Sequence, residues 1–203
     1  HHERCCISHQ GVKKMSDDMI STGTRKTPGG ADTAAACMEI TVKSHLNRFE
    51  LCAEPGTQLL AQIQRRFHGG KRLEISDAGK KLTACVHQEQ ETLIVTKDSG
   101  ESFSASLEYR EDAEGRRIQK SLVRPPMPEK LRFHIPQGEL IIVQTEQRNF
   151  EIYLDGRKVI EMSHMLRRTK KIRILSDVIP RDCYGIIFAL AIFMLHDDDV
   201  EIV

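Results

Sequence analysis

Cys183-Tyr184-Gly185-Ile186-Ile187-Phe188-Ala189-Leu190-Ala191-Ile192-Phe193-Met194-Leu195 decides how this chain folds. Gly185 alone stands outside the apolar set, and no charge interrupts the run. A helix on a protein surface needs a polar face, and this one has none. It is therefore enclosed on all sides or inserted in a membrane. As a helix it spans roughly 20 Å, short of the ~30 Å core of a bilayer. Asp182 precedes it as a candidate N-cap, and His196-Asp197-Asp198-Asp199 follow at once. The expectation is an enclosed core helix with no transmembrane span.

The residues upstream suggest what encloses it. Phe103, Ala105, Leu107 and Tyr109 alternate with Ser102, Ser104, Ser106 and Glu108. Phe150, Ile152 and Leu154 alternate with Glu151 and Tyr153, and Ile172 and Ile174 with Lys171 and Arg173. A period of two marks a half-buried strand. Turn signals fall at Asp98-Ser99-Gly100, Glu114-Gly115, Gln137-Gly138 and Asp155-Gly156. About a dozen such strands fit an all-β sandwich or a barrel. A weak internal repeat runs alongside. Glu74-Ile75-Ser76-Asp77-Ala78-Gly79-Lys80-Lys81-Leu82 aligns with Glu151-Ile152-Tyr153-Leu154-Asp155-Gly156-Arg157-Lys158-Val159. It suggests duplicated halves, although a glycine followed by two cations is a common turn composition.

Residues 1–37 lack this patterning, and Thr27-Pro28-Gly29-Gly30 is a breaker cluster. They read as a disordered tail or an upstream extension, with the domain at 38–203. Lys13, Lys14, Asp17 and Asp18 interrupt the first apolar stretch, so no secretory signal is expected. The six cysteines have irregular spacing and no C-x-x-C pair, which reads as free thiols in a reducing compartment.

The order of strands followed by one wholly apolar helix resembles the tubby C-terminal-like barrels, most closely their LURP-one-related branch. Three stretches carry the resemblance. One is Asp182 through Ile192 with acidic residues after it. The second is Leu60-Ala61-Gln62-Ile63-Gln64-Arg65-Arg66 followed by Arg72-Leu73-Glu74-Ile75-Ser76-Asp77-Ala78-Gly79. The third is Phe150-Glu151-Ile152 with Gly156 and Val159. Together they cover 38–203. The resemblance implies a mainly β fold, a closed barrel of about twelve strands around a central hydrophobic C-terminal helix. Such a lumen is too wide for side chains alone to fill.

For function, Lys and Arg number 30 against 29 Asp and Glu, a net charge of +1. No bulk nucleic-acid partner is implied. Without Trp and with 5% aromatics, a base-stacking platform is not expected either. The candidate ligand site is basic: Arg167-Arg168-Thr169-Lys170-Lys171-Ile172-Arg173, with a looser cluster at Arg65, Arg66, Lys71 and Arg72. Clustered cations attract anionic lipid; the same run also reads as a solvated strand face. Tubby proteins hold phosphoinositide headgroups on basic barrel residues, which implies Arg167, Arg168, Lys170, Lys171, Arg173, Arg65 and Arg66 as lipid ligands here.

Asp197-Asp198-Asp199 with Glu201 lacks EF-hand spacing and reads as a solvated terminal run. No His pair has metal-ligand spacing, no nucleophile or phosphate-loop motif occurs, and Cys183 reads as a packed thiol. The expectation is a cytoplasmic, membrane-associated, non-enzymatic module without cofactor, binding anionic lipid or a protein partner. The alternatives are a scaffold without lipid contact, and an enzyme with a site at the barrel mouth.

Overall fold

The period-two segments form twelve strands in the computed structural model, which describes residues 36–54, 58–67, 70–119 and 126–195. They are β1 (Met38–Ser44), β2 (Arg48–Glu54), β3 (Gln58–Arg66), β4 (Arg72–Asp77), β5 (Leu82–Glu89) and β6 (Thr92–Lys97). The second half is β7 (Ser102–Tyr109), β8 (Pro128–Ile135), β9 (Gly138–Gln144), β10 (Phe150–Leu154), β11 (Arg157–Ser163) and β12 (Thr169–Ile174). Each strand pairs antiparallel with its neighbours in sequence, and β12 pairs with β1 from Met38↔Ile174 to Lys43↔Thr169. The sheet is a closed barrel, which leaves no edge for another chain to extend. Residues 1–35 of the expected tail and the acidic run at Asp197–Asp199 lie outside the described residues. At Cys37 the backbone N–H donates to Ile174 O at 2.7 Å, continuing the ladder by one residue.

Alternation decides which side chains enter the lumen. Ile40, Val42, Phe49, Leu51, Ile63, Leu73, Ile75, Val86, Leu93, Leu131, Leu140, Ile142, Ile152, Ile172 and Ile174 are buried. Bulges at Leu51/Cys52 and Ile152/Tyr153 shift the register, and Leu51 and Cys52 are both buried, as are Val159 and Ile160. The outer wall carries ion pairs instead. Arg132 Nε lies 3.1 Å from Glu108, Lys158 Nζ 2.8 Å from Glu161 and Arg66 Nε 3.1 Å from Glu74. Apolar inside and charged outside is the inverse of a barrel that sits in lipid.

Helix α1 (Cys183–Leu195) fills the lumen, and every residue from Tyr184 to Leu195 is buried. The enclosed helix anticipated from its missing polar face is what the chain forms. Phe188 meets Phe49 edge-on, with centroids 5.3 Å apart at 73°. Gly185 permits the close approach of helix to wall, because a Cβ there would lie 2.8 Å from Ile75 Cγ2 and 3.4 Å from Ala61 Cβ. The amides of Cys183 and Tyr184 donate to the carbonyls of Pro180 and Arg181 at 3.0 and 3.2 Å. A backbone turn thus serves where Asp182 was expected to cap. Each large side chain moved from water into the lumen contributes about 1.5–3 kcal/mol. Ile186, Ile187, Phe188, Leu190, Ile192, Phe193, Met194 and Leu195 together therefore outweigh the ~5–15 kcal/mol net stability of a whole domain.

The two hairpins of the internal repeat, β4–β5 and β10–β11, lie six strands apart in the twelve-stranded ring, on opposite sides. Their turns differ. Asp155 and Gly156 both take positive φ, 47° and 80°, as a two-residue hairpin turn requires. Between β4 and β5 it is Lys80 that takes φ 63°, and the Asp77 carboxylate accepts the Lys81 N–H at 2.9 Å.

Candidate functional site

Because α1 runs along the lumen, the barrel has two unlike ends. The helix N-terminus faces the β4–β5, β6–β7, β8–β9 and β10–β11 turns and the connector from β12. These carry Lys80, Lys81, Lys97, Arg157 and Arg181 against Asp77, Asp98, Glu101, Asp155, Asp177 and Asp182. The helix C-terminus faces the opposite rim. There the β11–β12, β1–β2 and β3–β4 connections are consecutive around the ring, since the strand order runs β11-β12-β1-β2-β3-β4. Backbone hydrogen bonds join them: Ser44 N donates to Arg168 O at 3.0 Å, and Arg65 N to Asn47 O at 2.8 Å. This arc and its flanks carry Lys43, Arg48, Arg65, Arg66, Lys71, Arg72, Arg167, Arg168, Lys170 and Lys171 against Glu50 and Glu74. Positive charge is thus concentrated on one half of one rim, a feature invisible in the net charge.

The residues of the basic run do not share one face. Arg167 and Arg168 are exposed in the β11–β12 loop. Once β12 begins, side chains alternate: Lys171 points out, while Lys170 turns inward and retains 3% of its exposure. The Lys170 ammonium donates to Arg167 O at 2.5 Å and lies 6.0 Å from the Phe49 ring. Its place is inside the mouth rather than on the outer surface. Arg173 points outward but is engaged by Glu161 at 3.1 Å and Glu39 at 3.8 Å. The hydrogen bond from Lys158, and then the charges of Lys158 and Arg173, hold the Glu161 carboxyl below its usual range against the opposing effect of partial burial. Arg65 lies over Phe49, 4.9 Å from the ring centroid, and Arg66 pairs with Glu74. No ion pair among the described residues engages Lys43, Arg167, Arg168 or Lys171.

Inside the mouth, the cations face the carboxyl end of α1. Arg148, held at φ 60°, donates from Nη2 to Leu195 O. Gln144, its amide turned to donate, reaches Met194 O at 3.1 Å and Pro128 O at 2.9 Å. Helix C-terminal carbonyls carry partial negative charge, and cations or donors there are favourable. The sequence offered no sign of these two caps, because nothing local links residues 144 and 148 to a helix some 50 positions on.

Other clusters hold less chemistry. A cavity of about 360 Å³ near the helix N-terminus is lined by Cys37, Asp177, Arg181, Tyr184 and apolar neighbours. Burial pushes up the thiols of Cys52, Cys85 and Cys183, and Asp182 adds to the effect at Cys183. All three are free and protonated near neutral pH, as is a packed thiol. Among the described residues, no three His, Cys, Asp or Glu converge as a metal site would require, and no helix is long and apolar enough to cross a membrane.

One feature of the basic arc was not singled out from sequence. Leu46, Phe67 and Leu166 are the most exposed large apolar side chains of the described residues, at 81%, 67% and 59%. They occupy the three connections of that arc, one each. Nothing local sets them apart: they stand in His45-Leu46-Asn47, Arg66-Phe67-His68 and Met165-Leu166-Arg167, and only the ring brings them to one arc. No family model matches the chain, and neither a curated protein nor a solved structure matches it.

Proposed function

We propose that this protein is a non-enzymatic barrel that binds anionic membrane surfaces through the basic arc formed by the β11–β12, β1–β2 and β3–β4 connections. The observation that carries this reading is the charge of the arc itself: it is almost wholly cationic, while the remaining connections of the same rim carry Glu89, Glu91, Glu111, Asp112, Glu114 and Glu146 beside their cations and the turns of the other end balance. The resemblance to tubby C-terminal-like barrels supports it, since the tubby proteins among them hold phosphoinositide headgroups on basic barrel residues. The proposed ligands are Arg167, Arg168, Lys171 and Lys43, with Arg66, Lys71 and Arg72 at the flank. Lys170, Arg173 and Arg65 drop out: Lys170 is buried, Arg173 lies between the carboxylates of Glu161 and Glu39, and Arg65 lies over the Phe49 ring, whereas Arg66 and Arg72 share the one carboxylate of Glu74 and keep a net positive charge. Anionic lipids are abundant on the cytoplasmic leaflet, so the reading implies a cytoplasmic, membrane-associated protein.

A cation at a charged membrane surface contributes about 1 kcal/mol, and 1.4 kcal/mol is tenfold in affinity. Arg167→Ala/Arg168→Ala should therefore weaken sedimentation with phosphatidylserine-containing vesicles roughly thirty-fold. Raising salt from 0.05 to 0.5 M, values chosen to bracket physiological screening, should release the wild type too. Both variant sites are exposed, so the thermal midpoint should stay put. Undiminished sedimentation of the double variant would refute the site. A wild type that ignores anionic vesicles at low salt would refute the lipid reading and favour a scaffold with a protein partner.

A further inference from the structure

The same arc presents three apolar tips as well as charge, and charge alone gives them no role. Leu46, Phe67 and Leu166 sit on consecutive connections of one rim, tied together by the Ser44–Arg168 and Arg65–Asn47 backbone hydrogen bonds. Neighbouring strands lie about 4.8 Å apart, so loops two strands apart place Leu46 roughly 10 Å from each of Leu166 and Phe67 along the rim. Water solvates all three at a cost that no interior contact offsets. An exposed apolar set ringed by charge marks an interaction surface.

We propose that Leu46, Phe67 and Leu166 insert together into the interfacial layer of an anionic bilayer, seating the barrel with its α1 carboxyl end toward the membrane. This rests on the membrane reading above and specifies how the surface is engaged. Three considerations select a bilayer as the occupant. The tips are separate points divided by cations, not the continuous apolar core of a protein interface. Each tip has cations in its own loop or within three residues: Arg167 and Arg168 beside Leu166, Arg66 beside Phe67, and Lys43 and Arg48 around Leu46. Those cations can hold lipid phosphates and carboxylates at the depth where the tips enter the acyl boundary, as amphipathic anchors do. A second copy of the chain is disfavoured, since a two-fold contact would set one cationic arc against the other.

The chain contains no Trp, so one introduced Trp reports alone. In full-length Phe67→Trp, adding phosphatidylcholine vesicles containing phosphatidylserine should shift emission to the blue, and lipids brominated near the headgroup end of the acyl chain should quench it. Leu82→Trp, at the start of β5 on the other end, should do neither. Replacing all three tips by serine should weaken vesicle binding at least tenfold while leaving its salt dependence unchanged. Vesicle sedimentation of Phe67→Trp without shift or quenching would overturn insertion and leave charge-driven adsorption standing. Failure of the wild type to sediment would overturn both. A blue shift that grows with protein concentration and needs no vesicles would overturn insertion in favour of self-association.

Discussion

Leu190→Asp should yield no folded barrel. Leu190 is buried at mid-helix among strands that present apolar side chains from every direction. The buried polar or charged side chains of the described residues are Gln144 and Lys170, both placed at the mouth. A carboxylate at position 190 has no donor in reach, and enclosing an unpaired charge costs several kcal/mol even after relaxation. Loss of the leucine packing adds about 2–5 kcal/mol. The sum is of the same size as the ~5–15 kcal/mol that holds a domain together. Leu190→Met, which conserves volume, should cost less than about 1.5 kcal/mol. Circular dichroism on heating is the measurement. The aspartate variant should show no cooperative transition and the methionine variant a near-normal one. A cooperative aspartate variant would mean that the helix does not occupy the lumen in solution.

Removal of the helix should have an effect of the same size by another route. A chain ending at Asp182 keeps all twelve strands and their ladder hydrogen bonds, but the ring closes around nothing. Inward side chains such as Phe49, Leu51, Ile75, Val86 and Ile142 lose their partners on one side. A closed antiparallel ring cannot shrink to close a void the width of a helix, about 10 Å across, without changing its strand number. The fragment should therefore be insoluble or lack a cooperative transition. An apolar tail that served as a membrane anchor would behave in the opposite way, leaving a soluble folded barrel. A monomeric fragment with a sharp thermal transition would remove the threaded-helix account.

Much of this architecture is legible in the chain because it is periodic. Ser102–Tyr109 alternates without a break, and its inward Ala105 and Leu107 are buried as the period requires. The missing polar face of Cys183–Leu195 announced burial on all sides, and the helix is buried all round. Closure was a different matter. It depends on β12 meeting β1 across more than 130 positions, and a sandwich uses the same local pattern.

The site was legible in composition but not in direction. Five cations in Arg167–Arg173 marked the run as a candidate, yet alternation sends Lys170 inside and the Glu161 carboxylate takes Arg173. Neither outcome can be read without knowing where β12 begins and which strand lies beside it. Leu46, Phe67 and Leu166 look unremarkable in sequence. Their meaning comes from the ring, which makes neighbours of loops about 120 positions apart, those of Leu46 and Leu166.

The proposed membrane contact is tested directly by amide hydrogen exchange on the intact chain, with and without phosphatidylserine-containing vesicles at low salt. Exchange should slow in peptides covering the β1–β2, β3–β4 and β11–β12 connections, around Leu46, Phe67 and Leu166. It should stay unchanged at the β4–β5, β6–β7 and β10–β11 turns of the other end. Protection at those turns instead, or on the outer wall of the barrel, would contradict the orientation and the basic arc as the binding surface.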